Sequence, residues 1–194
     1  MTDRSDRIKE APNEALLVLF ANGDPQAAET LTGRLAPKIM AHAFRLLGSR
    51  AEAEDVTQEA MLRLWRQAPN WRQGEAQVTT WLYRVVANLC TDRLRRSHRA
   101  APLEAAGDPV DSGAGPAQRM QEAARAKALQ MALGQLPDRQ RQAVVLRHIE
   151  ELGNAQIAEI MDLSIEAVES LIARGKKALS ASLRNQSEEL GYSE

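Results

Sequence analysis

Residues 71–99 read WRQGEAQVTTWLYRVVANLCTDRLRRSHR. Six arginines in this stretch face Glu75 and Asp92, so it carries about +4 (six minus two) in a chain whose formal net charge is −1. Trp71, Trp81 and Tyr83 are three of the chain's seven aromatic residues (three Trp, two Tyr, two Phe), and Trp65 lies just upstream. From Thr80 the pattern is helical: Leu82, Val85, Val86 and Leu89 share one apolar arc, which Tyr83, Ala87, Cys90 and Leu94 widen. Arg84, Asn88, Thr91 and Arg95 fall on the narrow stripe that remains, with Trp81 and Asp92 at its margin. Such a stripe is either the solvated edge of a core helix or a surface kept for a partner. Guanidinium groups beside aromatic rings suit unpaired bases and their phosphates, but the residues alone leave both readings open.

Working outward, the positive charge is local. Residues 1–70 hold nine Lys/Arg against ten Asp/Glu, 100–118 none against three, and 119–194 ten against eleven. That distribution fits one binding face and not a generic polyanion binder. A length of 194 residues, 44% hydrophobic and 4% aromatic, suits one large or two small domains with a real core. Abundant Ala, Leu, Arg, Glu and Gln favour helix, and nothing reads as strand, so the chain is expected to be all-α. The longest apolar run is too short to span a bilayer and the N-terminus MTDRSDRIKE is charged, which predicts no signal peptide. A single cysteine, Cys90, suggests a reducing, cytoplasmic setting and reads as a small core residue before a redox sensor.

Upstream, residues 1–12 read as frayed. EALLVLFANG is expected to be a helix closed by Gly23, with Asp24-Pro25 capping a second helix and a third running KIMAHAFRLLG after Pro37. His42 has no Cys/His/carboxylate cluster around it in sequence and reads as a helix-face histidine rather than a ligand. Ser49 is the expected N-cap of SRAEAEDVTQEAMLRLW, whose Ala60, Met61, Leu64 and Trp65 face inward. Asp55, Gln58, Glu59, Leu62 and Arg66 lie opposite. Spacing alone favours a solvated acidic face there, although a leucine among acids suggests docking.

Downstream, AAPLEAAGDPVDSGAGPAQ (100–118) has three Gly, three Pro and no basic residue, and reads as an extended, mobile linker. Helices are expected over 119–134 and from Leu136-Pro137-Asp138 to Gly153. AQIAEIM, the turn Asp162-Leu163-Ser164 and a long last helix then have helix-turn-helix grammar, with Ser164 as N-cap and Asp162 at the left-handed turn position. Ala167, Val168, Leu171, Ile172 and Gly175 face inward. Glu166, Glu169, Ser170, Ala173, Arg174 and Lys177 form the face such a helix offers to a major groove.

Taken together, AEDVTQEAMLRLW (53–65), TTWLYRVVANLCTDRLRR (79–96) and LPDRQRQAVVLRHIEELGNAQIAEIM (136–161) resemble the extracytoplasmic-function (ECF) sigma factors of the sigma-70 superfamily. The resemblance covers roughly 12–185. It implies a sigma-2 helical bundle (12–99), a flexible linker (100–118) and a sigma-4 helix-turn-helix domain (119–185). It implies that Asp55, Gln58, Glu59 and Leu62 dock on the clamp helices of the RNA polymerase largest subunit, which reverses the solvated-face reading, and that sigma-4 meets the flap. It places Trp71, Trp81, Arg84, Asn88, Arg95 and Arg96 on the melted −10 element, the loop 71–79 capturing a flipped base. Glu166, Glu169, Ser170, Arg174, Lys176 and Lys177 would meet the −35 duplex. The family often has a basic residue at position 169 and Arg at 171. Glu169 can accept from a cytosine amino group, which implies a different −35 sequence.

The implied function is promoter selection for core polymerase, in a stress-response regulon, under a cognate anti-sigma factor of which the zinc-binding class is one candidate. The chain itself is expected to need no metal or cofactor, to be no enzyme, to stay out of the membrane and to be monomeric when free. His98 beside Ser97 lacks a third catalytic partner and fits a phosphate contact or a helix end. A homodimeric helix-turn-helix regulator and a helical protein-binding adaptor are the rival readings.

Overall fold

A computed structural model describes residues 4–72, 74, 77–97 and 116–184. The described residues form nine α-helices, one short 3-10 turn and no strand: α1 (Arg4–Glu10), α2 (Asn13–Ala21), α3 (Pro25–Leu47), α4 (Arg50–Gln67), the 3-10 turn Ala68–Asn70, α5 (Val78–Ser97), α6 (Pro116–Gly134), α7 (Asp138–His148), α8 (Asn154–Met161) and α9 (Ile165–Arg184). The protein is all-α, in two helical groups. In the first, α3 is the spine against which α2, α4 and α5 pack; in the second, α9 packs on α6, α7 and α8.

Local chemistry starts and stops these helices. Asp24 accepts from the backbone N–H groups of Gln26 (3.0 Å) and Ala27 (3.4 Å), satisfying donors that the first turn of α3 leaves free. Gly48 closes α3 in the left-handed conformation (φ 73°), and Ser49 accepts from the Glu52 N–H at 3.4 Å to open α4. Leu31, Leu35, Ile39, Ala43 and Leu46 of α3 meet Val56, Ala60 and Leu64 of α4 and Leu82, Val86 and Cys90 of α5 in one core.

The structure departs from the sequence reading in four places. Residues 4–10 are helical, because Ile8 is buried and Arg34 donates to the carbonyls of Ala11 (2.7 Å) and Lys9, pinning the segment to α3. Helix α3 runs through Pro37 without a break. The proline is exposed and forfeits one hydrogen bond, while buried residues on both sides hold the axis. The linker expected over 100–118 lies outside the described residues up to 115, but α6 already begins at Pro116. Finally, α7 ends at His148 and not near Gly153: Glu151 takes a left-handed conformation (φ 57°), and the N–H groups of Glu150 and Leu152 return to the carbonyls of Val145 and Leu146 at 3.0 Å each.

The helix-turn-helix is built as its sequence suggests. Asp162 is left-handed (φ 53°, ψ 56°), Ser164 Oγ accepts from the Ala167 N–H at 3.2 Å, and Ile157, Ala158 and Val168 are buried between the two helices. At Gly175 helix α9 lies close against α7. A Cβ there would lie 2.6 Å from Val144 Cγ2 and 3.2 Å from the Gln140 carbonyl oxygen.

Candidate nucleic-acid interface

Helix α5 is sunk into the first group of helices over most of its circumference. Leu82, Tyr83, Val86, Ala87 and Cys90 are buried, and Val85, Leu89 and Leu94 half-buried. Of the stripe read from the sequence, Arg84, Asn88 and Arg95 are exposed, with Asp92 and Arg96 beside them, while Thr91 is half-buried and donates to the Ala87 carbonyl at 2.8 Å. At its start Trp71 and Trp81 meet edge to face, with centroids 6.1 Å apart and planes at 90°, which leaves a rigid aromatic corner beside the arginines. Arg95 and Arg96 lie in the last turn, where cations also oppose the helix dipole. Burial pushes the Cys90 thiol up to about 12, so at neutral pH it is an inert core group. His98 lies outside the described residues.

On α4, Asp55 and Gln58 are exposed, and Leu62 is 41% exposed, one of four large apolar side chains left in solvent among the described residues. Glu59 is bound by Arg63 at 2.7 Å, and that hydrogen bond holds its carboxyl below the ordinary value. Asp55 lies 3.4 Å from Arg93 of α5. The four residues expected at a polymerase contact therefore share one face.

On α9, Glu166, Glu169, Ser170, Arg174, Lys176 and Lys177 are all exposed. Glu166 is held below its ordinary value by its own backbone N–H and the Ser164 hydroxyl, a helix N-terminal arrangement. Glu169 accepts from Asn154 Nδ2 at 3.2 Å, so the carboxylate that departs from the family habit is oriented by the preceding helix. Arg174 Nε donates to the Ser170 carbonyl at 3.2 Å.

One constellation was not read from the sequence. Glu150, in the turn after α7, receives the Tyr83 hydroxyl at 2.6 Å on Oε2, while Oε1 lies 3.2 Å from His42 Nδ1 and 3.4 Å from Arg45 Nη1. Burial opposes ionisation of Glu150, but the hydrogen bonds with His42 and Tyr83 and the nearby Arg45 guanidinium outweigh it, and the carboxyl stays below its ordinary value. Burial first, and the facing carboxylate second, raise the Tyr83 phenol. His42 is therefore no helix-face residue: it is fully buried. Nearby, buried Arg141 of α7 donates to the carbonyls of Leu133 (2.8 Å), Gly134 and Leu136 (3.1 Å each), and across to Leu46 of α3. Arg141 stands in the polar stretch DRQRQ that precedes the apolar run of α7, and Glu150 in a segment that reads as continuing helix, so the sequence offered no signal for either.

Among the described residues no three His, Cys, Asp or Glu side chains are placed to hold a metal ion, and no helix is long and apolar enough to cross a membrane.

Two family models match: Sigma-70 region 2 over residues 31–100 and Sigma-70 region 4 over residues 126–179. The first match holds α5 and the second the helix-turn-helix, so the fold is that of an RNA polymerase sigma factor. The chain is 31% identical over 173 residues to the ECF RNA polymerase sigma factor SigW of Bacillus subtilis, covering 84% of this chain and 92% of SigW. It belongs to the ECF sigma factors, a family of non-enzymatic transcription initiation factors. Among solved structures it is similar to CnrH in complex with the cytosolic domain of CnrY (26% identity, 89% of this chain and 97% of that one, TM-score 0.64). The sigma factor RpoE of Bartonella quintana, crystallised with the anti-sigma factor NepR, shares the fold (21% identity, 80% and 96%, TM-score 0.67).

Proposed function

We propose that this ECF sigma factor docks on core polymerase through α4, reads the −35 duplex with α9 and traps melted −10 bases along α5. The observation that carries this is α5 itself: a helix buried on its other sides keeps one stripe of Arg84, Asn88 and Arg95 exposed, with a tryptophan pair at its head. Unstacking a base costs a few kcal/mol, and stacking on an aromatic ring returns about 1–3 kcal/mol per base, so the corner and the stripe together can hold a separated strand. Asp55, Gln58, Glu59 and Leu62 serve polymerase. Trp71, Trp81, Arg84, Asn88, Arg95 and Arg96 serve the −10 strand, and Glu166, Glu169, Ser170, Arg174, Lys176 and Lys177 the −35 duplex. Residues 12–99 and 119–185, the latter extended to Pro116, act as two domains joined by the intervening segment.

The same reading places the protein in the cytoplasm with polymerase, monomeric when free, and under a cognate anti-sigma factor in a stress-response regulon. The RpoE–NepR complex supports the partner by fold alone. Transcription with bacterial core polymerase tests the proposal: wild type initiates from discrete start sites, and both Leu62→Asp and Trp81→Ala lose them. Tight binding to a palindromic operator by the free chain, with no initiation by core, would instead support a dimeric regulator.

A further inference from the structure

The two halves of the molecule share one apolar core, and polar contacts cross between them beside it. Glu150 enters the first half between His42, Arg45 and Tyr83, and lies only 10% exposed. Carbonyls of the last turn of α3 are also reached from the second half: Gln130 of α6 donates to Arg45 (3.4 Å) and to Phe44 (3.2 Å), which also accepts from the Gly48 N–H, and Arg141 of α7 donates to Leu46. Helix α5 packs on α8, and Gln77 beside α5 lies 3.5 Å from Gln156 of α8.

This packing sets α7 and α8 in front of the α5 stripe. Arg84, Asn88, Thr91, Asp92 and Arg95 line a cleft of about 580 Å³, whose opposite wall includes Asp138 and Asp162. That volume suits one drug-sized molecule, whereas a strand running from Arg84 to Arg95 would follow about 17 Å of helix. A second distance argument agrees. Elements named −10 and −35 lie about 25 base pairs, or ~85 Å, apart at 3.4 Å per base pair, while a compact chain of this length has a radius of gyration of about 16 Å and spans roughly 40 Å.

We propose that the free chain holds itself closed, with Glu150 as the latch and the second half covering the −10 stripe, so that promoter binding requires the two halves to part. What the closure hides rests on the −10 reading of α5; the closure itself does not. Outside the closed form, Glu150 and the α3 carbonyls find water while Arg141 keeps its partners Leu133, Gly134 and Leu136, so the latch is reversible by any partner that gains more from the opened faces.

The test uses the full chain. Small-angle scattering compares wild type with Glu150→Ala and with Tyr83→Phe, which removes one latch bond without changing the ring, and circular dichroism checks that each is folded. Binding of a short fluorescein-labelled DNA single strand of mixed sequence is followed by anisotropy. Wild type is expected to be compact, and the variants to expand and to bind the strand roughly three- to thirtyfold more tightly, as a shift in the open population requires. An expanded wild type, or folded variants with unchanged dimensions, would overturn the latch. Variants that expand but gain no affinity would overturn the covering of the stripe. Adding Arg84→Glu to Glu150→Ala should abolish the gain; if it persists while the expansion stands, the −10 assignment fails and the closure survives.

Discussion

Helices α5 and α9 carry the two faces assigned to DNA, and they are presented in opposite ways. The face of α9 points into solvent along its length, on a helix packed by Val168 and Gly175 against α7 and α8. The stripe of α5 belongs to a core helix and looks into a cleft whose far wall is the other half of the same chain. A rigid exposed helix suits a duplex, which is read from outside in the major groove. A stripe in a cleft, with an edge-to-face tryptophan pair at its head, suits a strand that exists only after melting, and it is usable only once the cleft opens.

The largest expected effect comes from removing the aromatic corner. Trp81→Ala should lower the yield of melted promoter roughly 5- to 150-fold, the equivalent of about 1–3 kcal/mol of stacking, and leave −35 duplex binding by the holoenzyme intact. Permanganate reactivity of −10 thymines, read beside duplex binding, checks this; equal loss of both would break the division of labour. Gly175→Ala strikes the other helix. Forcing a Cβ against Val144 should destabilise the second half by about 1–3 kcal/mol, seen as a lower thermal transition, with the α5 half less affected.

Smaller still is Glu169→Gln, expected to change the preferred −35 base at one position by about 1 kcal/mol in binding-site selection. Asn154→Ala should blur the same position, since it frees the carboxylate that Asn154 orients. An unchanged preference in both would remove Glu169 from base reading. The smallest effect near neutrality is that of pH on closure. The Glu150 carboxyl is depressed in the closed form, so its contribution is fully present above its ordinary value of 4.5 and is lost as pH falls through the lower, closed-form value. The groups facing it are His42 and Arg45 of α3 and Tyr83 of α5. Scattering should therefore show constant dimensions from neutral pH to about 5, with expansion only in more acid solution, and a weaker acid response in Glu150→Gln.

What could be read in the sequence is what local chemistry decides. The caps at Asp24 and Ser49, the left-handed Asp162 and the apolar arc of α5 each depend on a few neighbours in the chain, and each is found where the residues suggest. The breaks are different. Pro37 reads as a boundary, yet the buried residues flanking it on one face hold α3 together. Residues 149–153 read as more helix, yet the turn at Glu151 delivers Glu150 to partners more than sixty positions away in sequence. Charge placement likewise hid the latch: Glu150 and His42 are ordinary surface types until tertiary packing brings them together. The α4 face required the family resemblance, because exposed acids on a helix look the same whether or not a partner covers them.

The most direct test of the division between α5 and α9 is to map both on one promoter. Photo-crosslinkers placed at Asn88 and at Ala173 would be activated in complexes of core polymerase, this protein and a promoter it initiates from. The account predicts that the Asn88 probe marks the non-template strand of the melted −10 region, while the Ala173 probe marks duplex about 25 base pairs, or ~85 Å, upstream. Both probes marking the same short stretch, within the reach of the closed chain, would contradict it.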